Sequence, residues 1–266
     1  MKIVFWNTHE NPKINHILAD IIYENHIDII TLAEYKDDSR ELIKLLSNRS
    51  ICMEQYMTSG CDRITMFGTL KKVLPGRQDK YYSIQLIDRN YILCGVHLPS
   101  QTYSGHQERR NIIIDMFLQD IISTEQEINS DHTILLGDLN ENPYEPGCLS
   151  AHKLHGLPSH AEAAKGTRTV MGRPFKMFYN PMWNLLGDFQ YPPGTYYYNG
   201  SHLVNSFWNI YDQVMIRPCI KDKFNEQSLK ILHKTEKVTL IDQHKHPRKD
   251  ISDHLPIIFE IKEESA

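Results

Sequence analysis

Six places along this chain set an acid, an amide or an imidazole at the border of an apolar run. They are Asn7 after "KIVFW", Glu34 after "IITLA", His97 after "YILCGV", Asp138 with Asn140 in "TILLGDLN", Asp212 ahead of "QVMI", and Asp253 with His254 ahead of "LPIIFEI". Short apolar runs bounded in this way read as buried strands, and strand ends let side chains gather while their backbones stay fixed. In an extended backbone residues i and i+2 face the same side, so Asp138 and Asn140 are expected to share one spot beyond their strand. Carboxylate and amide oxygens are the hard donors that magnesium or manganese takes, and histidines beside carboxylates suit acid–base work or oxyanion stabilisation. Together they are what metal-assisted hydrolysis of a phosphate ester needs.

Taken singly, each residue also has an ordinary role. Asn7 and Asn140 suit turns that bond their own backbone, Glu34 a solvated strand end, His97 a core histidine, and Asp253 with His254 a turn cap ahead of Pro256. Asp212 resists this treatment, because the apolar residues around it imply burial and a buried carboxylate without a partner is strongly unfavourable.

The elements that must position these groups follow from periodicity. "KIVFWN" reads as a strand, and Asn11–Pro12 as the cap and first turn of a helix whose stripe is Ile14, Ile17, Leu18, Ile21 and Ile22. "IDIITLAE" is a strand covered on both faces, and 38–47 is a helix opened by acids. "RITMFGTL", "YYSIQLI" and "NYILCGVHL" read as strands, 106–124 as a helix, and 148–165 as partly helical. After a loop-rich aromatic stretch over 166–207, "WNIYDQVMI", "LKILHKTEKVTLI" and "SDHLPIIFEI" read as further strands. Runs of strands with helices between them predict an α/β fold of two packed sheets with helical outer layers.

At 266 residues, with 41% hydrophobic and 23% charged residues and no repeat or linker, the chain is expected to form one domain over 1–266. "MKIVFWNTHE" turns polar too soon for a signal peptide or membrane span, so a soluble, cytoplasmic protein is expected. Five scattered cysteines suit free thiols filling the core in a reducing compartment. A net charge of −4 excludes a global basic field, so any polyanion must be held locally.

In order and context, "FWN", "TLAE", "GVHLPS", "LLGDLNENP", "YDQV" and "SDHLPI" resemble the motifs of the endonuclease/exonuclease/phosphatase superfamily, which includes exonuclease III-like and deoxyribonuclease I-like enzymes. The resemblance spans essentially the whole chain. It implies a four-layer α/β/β/α sandwich of two packed, mainly antiparallel sheets with the site at one open end. It also implies roles: Glu34 as the main Mg2+ ligand (Mn2+ as a substitute), helped by Asn7 and Asp253; Asp138 to prepare the attacking water; and Asn140 beside the phosphate. His254 would stabilise charge on the phosphate with Asp212 on its other nitrogen, and His97 would be a second phosphate-contacting histidine. Where deoxyribonuclease I-like members pair that histidine with a further glutamate, this chain offers Asp62 and Arg63.

The superfamily fixes a reaction better than a substrate. "KGTRTVMGRPFK" holds Lys165, Arg168, Arg173 and Lys176 without an acid, and residues 175–211 hold twelve of the 26 aromatics. Charge for a backbone beside rings for bases is what a single-stranded nucleic acid needs, so Arg168 and Arg173 are substrate-binding candidates, with Arg109 and Arg110 at the head of the third helix. Much of the aromatic density, "GTYYY" included, equally suits core. A nuclease or nucleic-acid phosphodiesterase leads, with a phosphatase for a small phosphoester or lipid headgroup and an inactive binding module as alternatives; no protein partner is implied. His244 and His246 read as a solvated loop rather than a metal site, since no third ligand lies nearby.

Overall fold

The computed structural model describes residues 1–100, 106–201, 203 and 205–262. In chain order its strands are Lys2–Asn7 (β1), Ile29–Ala33 (β2), Glu54–Gln55 (β3), Ile64–Gly68 (β4), Val73–Asp79 (β5), Tyr82–Ile87 (β6), Tyr91–His97 (β7) and Thr133–Asp138 (β8). Then come Gly156–Leu157 (β9), Thr167–Val170 (β10), Arg173–Lys176 (β11), Phe178–Tyr179 (β12), Tyr196–Tyr197 (β13), Trp208–Asn209 (β14), Asp212–Ile216 (β15), Phe224–Ile231 (β16) and Ile257–Ile261 (β17). The helices are Asn15–Asn25 (α1), Ser39–Ser47 (α2), His106–Ile128 (α3), Pro146–Leu149 (α4) and His160–Ala163 (α5).

One sheet runs β16-β17-β1-β2-β4-β3 and the other β5-β6-β7-β8-β15-β12-β9. Pairing is mainly antiparallel, with β1–β2, β7–β8 and β9–β12 parallel. Alternation along the strands decides which side chains face where. Leu93, Ile134, Leu136, Val214 and Ile216 of the second sheet join the first sheet and α1 and α2 in one core. Their neighbours Ile92, Cys94, Val96, Leu135 and Met215 pack with Ile113, Phe117 and Ile121 of α3. The sheets pack tightly at Gly95, where a Cβ would lie 2.5 Å from the Met66 methyl and 3.0 Å from Thr31 Cγ2. The result is the α/β/β/α sandwich.

Several expectations change in detail. Asn11 does not cap α1: its Oδ1 accepts the Lys13 N–H and its Nδ2 donates to the Ile251 carbonyl, and α1 begins at Asn15, whose N–H donates to Asp37. Asp38 does cap α2. Val73–Asp79 forms a strand despite Pro75 and Gly76, because β5 lies at a sheet edge and shifts register between Pro75 and Gln78. Between Ile231 and β17 the described residues form isolated bridges in place of a strand, Lys234 with Thr239, Ile241 with Pro247 and His254 with Tyr196. Cys94 and Cys148 fill the core as expected, whereas Cys52 and Cys219 are exposed; all five thiols are free. Among the described residues no helix is long and apolar enough to cross a membrane.

One end of the sandwich closes on a buried ion cluster. Glu125 of α3 accepts from Arg217 Nε at 2.7 Å, Lys176 Nζ at 3.0 Å and Thr133 Oγ1 at 2.7 Å. The Arg217 guanidinium also lies 3.8 Å over the Phe178 ring. Removing one partner of such a cluster strands the other charge in low dielectric, so Glu125→Ala is expected to destabilise the protein by about 3–5 kcal/mol. Urea unfolding monitored by circular dichroism checks this: the midpoint should fall with little change in slope.

Candidate active site

The site lies at the other end, and strand direction places it there. β1 and β2 are parallel, with Asn7 opposite Ala33, so Asn7 and the next residue, Glu34, leave the first sheet together. β7 and β8 are parallel, with His97 opposite Asp138, and antiparallel β15 brings its first residue, Asp212, opposite Asp138 as well. β17 runs antiparallel to β1, so the loop ahead of it delivers Asp253 and His254 to the same end. Asn7, Asp138, Asp212, His97 and His254 are all buried.

Asp138 occupies the centre. Its Oδ2 accepts from Asn7 Nδ2 at 2.9 Å, a bond between the two sheets, and its Oδ1 accepts the Asn140 N–H at 2.9 Å. His97 Nε2 stands 3.6 Å and His254 Nε2 3.8 Å from the same Oδ2. His254 Nδ1 lies 2.8 Å from Asp212 Oδ2. Burial works against the His254 cation, but Asp212 and Asp138 on either side overcome it and push its pKa up to about 10. Burial also raises Asp212, against the pull of the imidazole; with a carboxylate facing each ring nitrogen, the proton stays on His254. His97 goes the other way: burial pushes its pKa down despite Asp138 and Glu34.

Motif residues that sequence reasoning left without a role hold this arrangement. Trp6 Nε1 donates to the His254 carbonyl at 2.9 Å. The Ser252 hydroxyl donates to the Asn7 carbonyl at 2.7 Å and accepts the His254 N–H at 3.1 Å, tying the end of β1 and the lead-in to its neighbour β17 to one oxygen. Thr195 Oγ1 accepts the Asp212 N–H, and the Tyr196 ring lies 4.7 Å from the His254 ring. Trp6 and Ser252 sit inside "FWN" and "SDH", which was the available signal.

Asn140 reaches the site differently from the expectation. The chain leaves the strand after Asp138, Asn140 takes a left-handed φ of 49°, and its amide donates to the Leu98 carbonyl at 2.9 Å. Arg110 is fully buried against Glu141, 2.7 Å away, and supports this loop from behind. Arg109 is exposed, its guanidinium 5.5 Å over the Tyr81 ring, whose residue's carbonyl accepts the His97 N–H. Arg63 also lies over that ring, and neither it nor Asp62 bonds His97, whose Nδ1 has no partner among the described residues.

Arg168 and Arg173 are not brought to the site. Their hairpin, β10–β11, continues from Lys176, which is paired with Asp131 ahead of β8, whereas Asp138 ends β8. It therefore belongs to the pole of the Glu125 cluster, on the far side of the sandwich.

Two groups offer cation ligands. Ligand atoms of Asp138, Asp212 and His254 lie within 4.8 Å of one another; Asp212 Oδ2 faces His254 Nδ1 and both Asp138 oxygens accept from Asn7 and Asn140, while Asp212 Oδ1 has no hydrogen bond among the described residues. Glu34 and Asp253 flank Asn7, one following its register partner Ala33 and the other following Ser252. Asp253 Oδ1 is buried with no hydrogen bond, 3.1 Å from His9 Nδ1, and no hydrogen bond reaches the Glu34 carboxylate among the described residues. Glu34 itself holds a left-handed φ of 52°, a strained conformation for a non-glycine residue. These oxygens fit a hard divalent cation, and the donor set contains no thiolate.

No family model matches the sequence, and no curated protein matches it. Solved structures do. An AP endonuclease from Archaeoglobus fulgidus superposes with a TM-score of 0.57 at 12% identity, covering 98% of this chain and 99% of that one. The human Nocturnin catalytic domain gives 0.57 at 14% identity, over 98% and 92%. A 3′-5′ exonuclease from Neisseria meningitidis gives 0.56 at 14% identity, over 99% and 100%. The chain has the fold of the endonuclease/exonuclease/phosphatase superfamily, the one its motifs resemble.

In metal-free protein, His254 is expected to remain an imidazolium through neutral pH and to lose its proton near pH 10. Asp212→Asn removes a carboxylate that favours the cation, so the His254 pKa should fall in that variant. Ring-proton NMR titration measures both.

Proposed function

We propose that this protein is a divalent-metal-dependent hydrolase of phosphodiester bonds, with nucleic acid as its substrate class. The observation that carries the reading is Asp138, a buried carboxylate held by Asn7 and faced by two histidines, beside the carboxylates of Glu34, 3.7 Å from His97 Nε2, and Asp253, 3.1 Å from His9 Nδ1, which accept no hydrogen bond among the described residues. Structures sharing the fold include the AP endonuclease, the 3′-5′ exonuclease and a Neisseria 3′ phosphatase bound to a DNA hairpin, which favours a nucleic-acid substrate.

Phosphodiesters resist hydroxide because like charges repel. A magnesium or manganese ion held by Glu34, Asn7 and Asp253 would supply positive charge that neutralises the phosphate oxygens. Asp138 would take a proton from the attacking water, its other contacts fixing its orientation. His254, kept as an imidazolium by Asp212, stabilises charge that grows on the phosphate, and Asp212 also fixes the orientation of the ring. His97, neutral and buried, donates to a phosphate oxygen from the opposite flank. Arg109, exposed on that flank, would meet a neighbouring phosphate. A small phosphoester gains one argument from the structure, since the basic hairpin lies at the far pole; the completeness of the site argues against an inactive binding module.

Magnesium or manganese should restore phosphodiesterase activity after chelation, and Glu34→Gln should weaken the rescue; full turnover in excess chelator would sink the reading. Asp138→Asn and His254→Ala should each lower turnover by at least about a hundredfold with the fold intact by circular dichroism. Adding Asp212→Asn to His254→Ala should bring less than the product of the two losses, because the residues act as a unit. Arg109→Ala should raise the KM for an oligonucleotide and flatten its salt dependence, whereas Arg168→Ala with Arg173→Ala should leave both as they are.

A further inference from the structure

Asp253 forms part of the wall of an open cleft of about 530 Å³ that the chemistry above does not use. Its other walls come from Tyr197 and Tyr198, on and just after β13, and from the 242–250 loop through Asp242, His246 and Lys249. A face-to-face stack locks the two segments together: the Tyr197 and His246 rings lie 3.6 Å apart at 11°. Trp208 of β14 meets both rings edge-on, 5.4 Å from Tyr197 and 6.2 Å from His246. The loop histidine expected to be solvated is thus part of a packed aromatic wall. Tyr198 reaches beyond it, 41% exposed, on a backbone fixed by its N–H bond to the Phe207 carbonyl. On the site side, Tyr196 of the same strand bridges to His254.

Charge decides what this cleft accepts. Asp242, Asp250 and Asp253 all line it, Asp250 paired with Arg248 and Asp242 accepting the His244 and His246 N–H groups. Arg248 and Lys249 line it too, but Arg248 is taken up by Asp250, which leaves Asp242 and Asp253 against Lys249; that balance disfavours a phosphate inside, whereas a neutral flat ring gains contact with the aromatic walls. Lys249, an exposed residue of the cleft wall, makes no ion pair among the described residues and would meet a backbone phosphate at the cleft's mouth.

We propose that the cleft binds the unpaired nucleobase of the nucleotide adjoining the reacting phosphate, with Tyr198 as the stacking ring and Lys249 on a flanking phosphate. The inference rests on the phosphodiesterase reading and narrows it: a base must leave its duplex to enter, so single-stranded or frayed substrates are preferred. Stacking tolerates any base, because each has a π-face.

Three substrates test this: methyl p-nitrophenyl phosphate, a single-stranded oligonucleotide, and versions of that oligonucleotide with an abasic spacer on one or the other side of the cleaved bond. Tyr198→Ala should lower the ratio of oligonucleotide to short-diester kcat/KM about tenfold, the size of one lost base–ring stack. Tyr198→Phe should keep the wild-type ratio. On wild-type protein, one of the two abasic oligonucleotides should show a similar loss, and on that substrate Tyr198→Ala should add nothing. Lys249→Ala should raise the oligonucleotide KM and reduce its salt slope. Equal losses on both substrate types, or an undiminished Tyr198→Ala effect on both abasic oligonucleotides, would overturn the proposal. Cleavage of the short diester without cleavage of any oligonucleotide would overturn it while leaving a phosphoesterase in place; turnover of neither would defeat the underlying reading and the cleft with it.

Discussion

Asp138 carries a carboxylate into a place with almost no water, and a charge so placed persists only where donors surround it. The donors come from both sheets. Asn7 reaches across from the first, the Asn140 backbone folds back from the second, and the two imidazoles stand beyond hydrogen-bonding distance, from where His254 acts through its charge. Each of these donors must itself be fixed, which explains residues that touch no reacting atom. Ser252 bonds Asn7 and His254 at once, Trp6 holds the His254 carbonyl, and Asp212 holds its ring. Moving any strand end by one register position would turn its polar side chain to the opposite face and leave Asp138 short of a partner.

This requirement accounts for the mixed direction of the sheets. An antiparallel pair alternates its ends, so two consecutive strands cannot both finish at one pole unless they run parallel. The chain makes β1–β2 and β7–β8 parallel, each across a helical connection, and those four strands deliver Asn7, Glu34, His97 and Asp138 to a single end. The antiparallel strands β15 and β17 then begin where the others finish, which puts Asp212 and His254 opposite them.

Much of this was legible because a polar residue closing an apolar strand is conspicuous in sequence. What stayed hidden depends on where the backbone turns. Asp138 and Asn140 share a site through a turn with a left-handed residue, and no alternation pattern reports that. Arg109 and Arg110 are adjacent in a helix that points one to solvent and the other to Glu141 in the core; charge alone does not distinguish them. The basic hairpin illustrates the same limit, since charge without an apolar stripe fixes no position relative to the sheets and β10–β11 extends from the wrong pole. His246 read as solvated because its partner, Tyr197, lies about fifty residues earlier in the chain.

The two ends of the sandwich treat buried charge in opposite ways, and the contrast locates the work of the protein. At the Glu125 end both carboxylate oxygens have cationic donors and Arg217 fills its own sites on Glu125, Met177 and Phe178. At the other end His97 Nδ1, Asp212 Oδ1 and Asp253 Oδ1 are buried without hydrogen bonds, and Glu34 holds a strained backbone. Each unsatisfied group costs about 1–3 kcal/mol and contributes nothing to the fold. A sequence able to complete Glu125 with three donors was able to complete these atoms too. On the proposed reading a cation and a phosphate would complete these atoms; the buried atoms without hydrogen bonds at Gln85, Glu141 and His155 lie outside that reading.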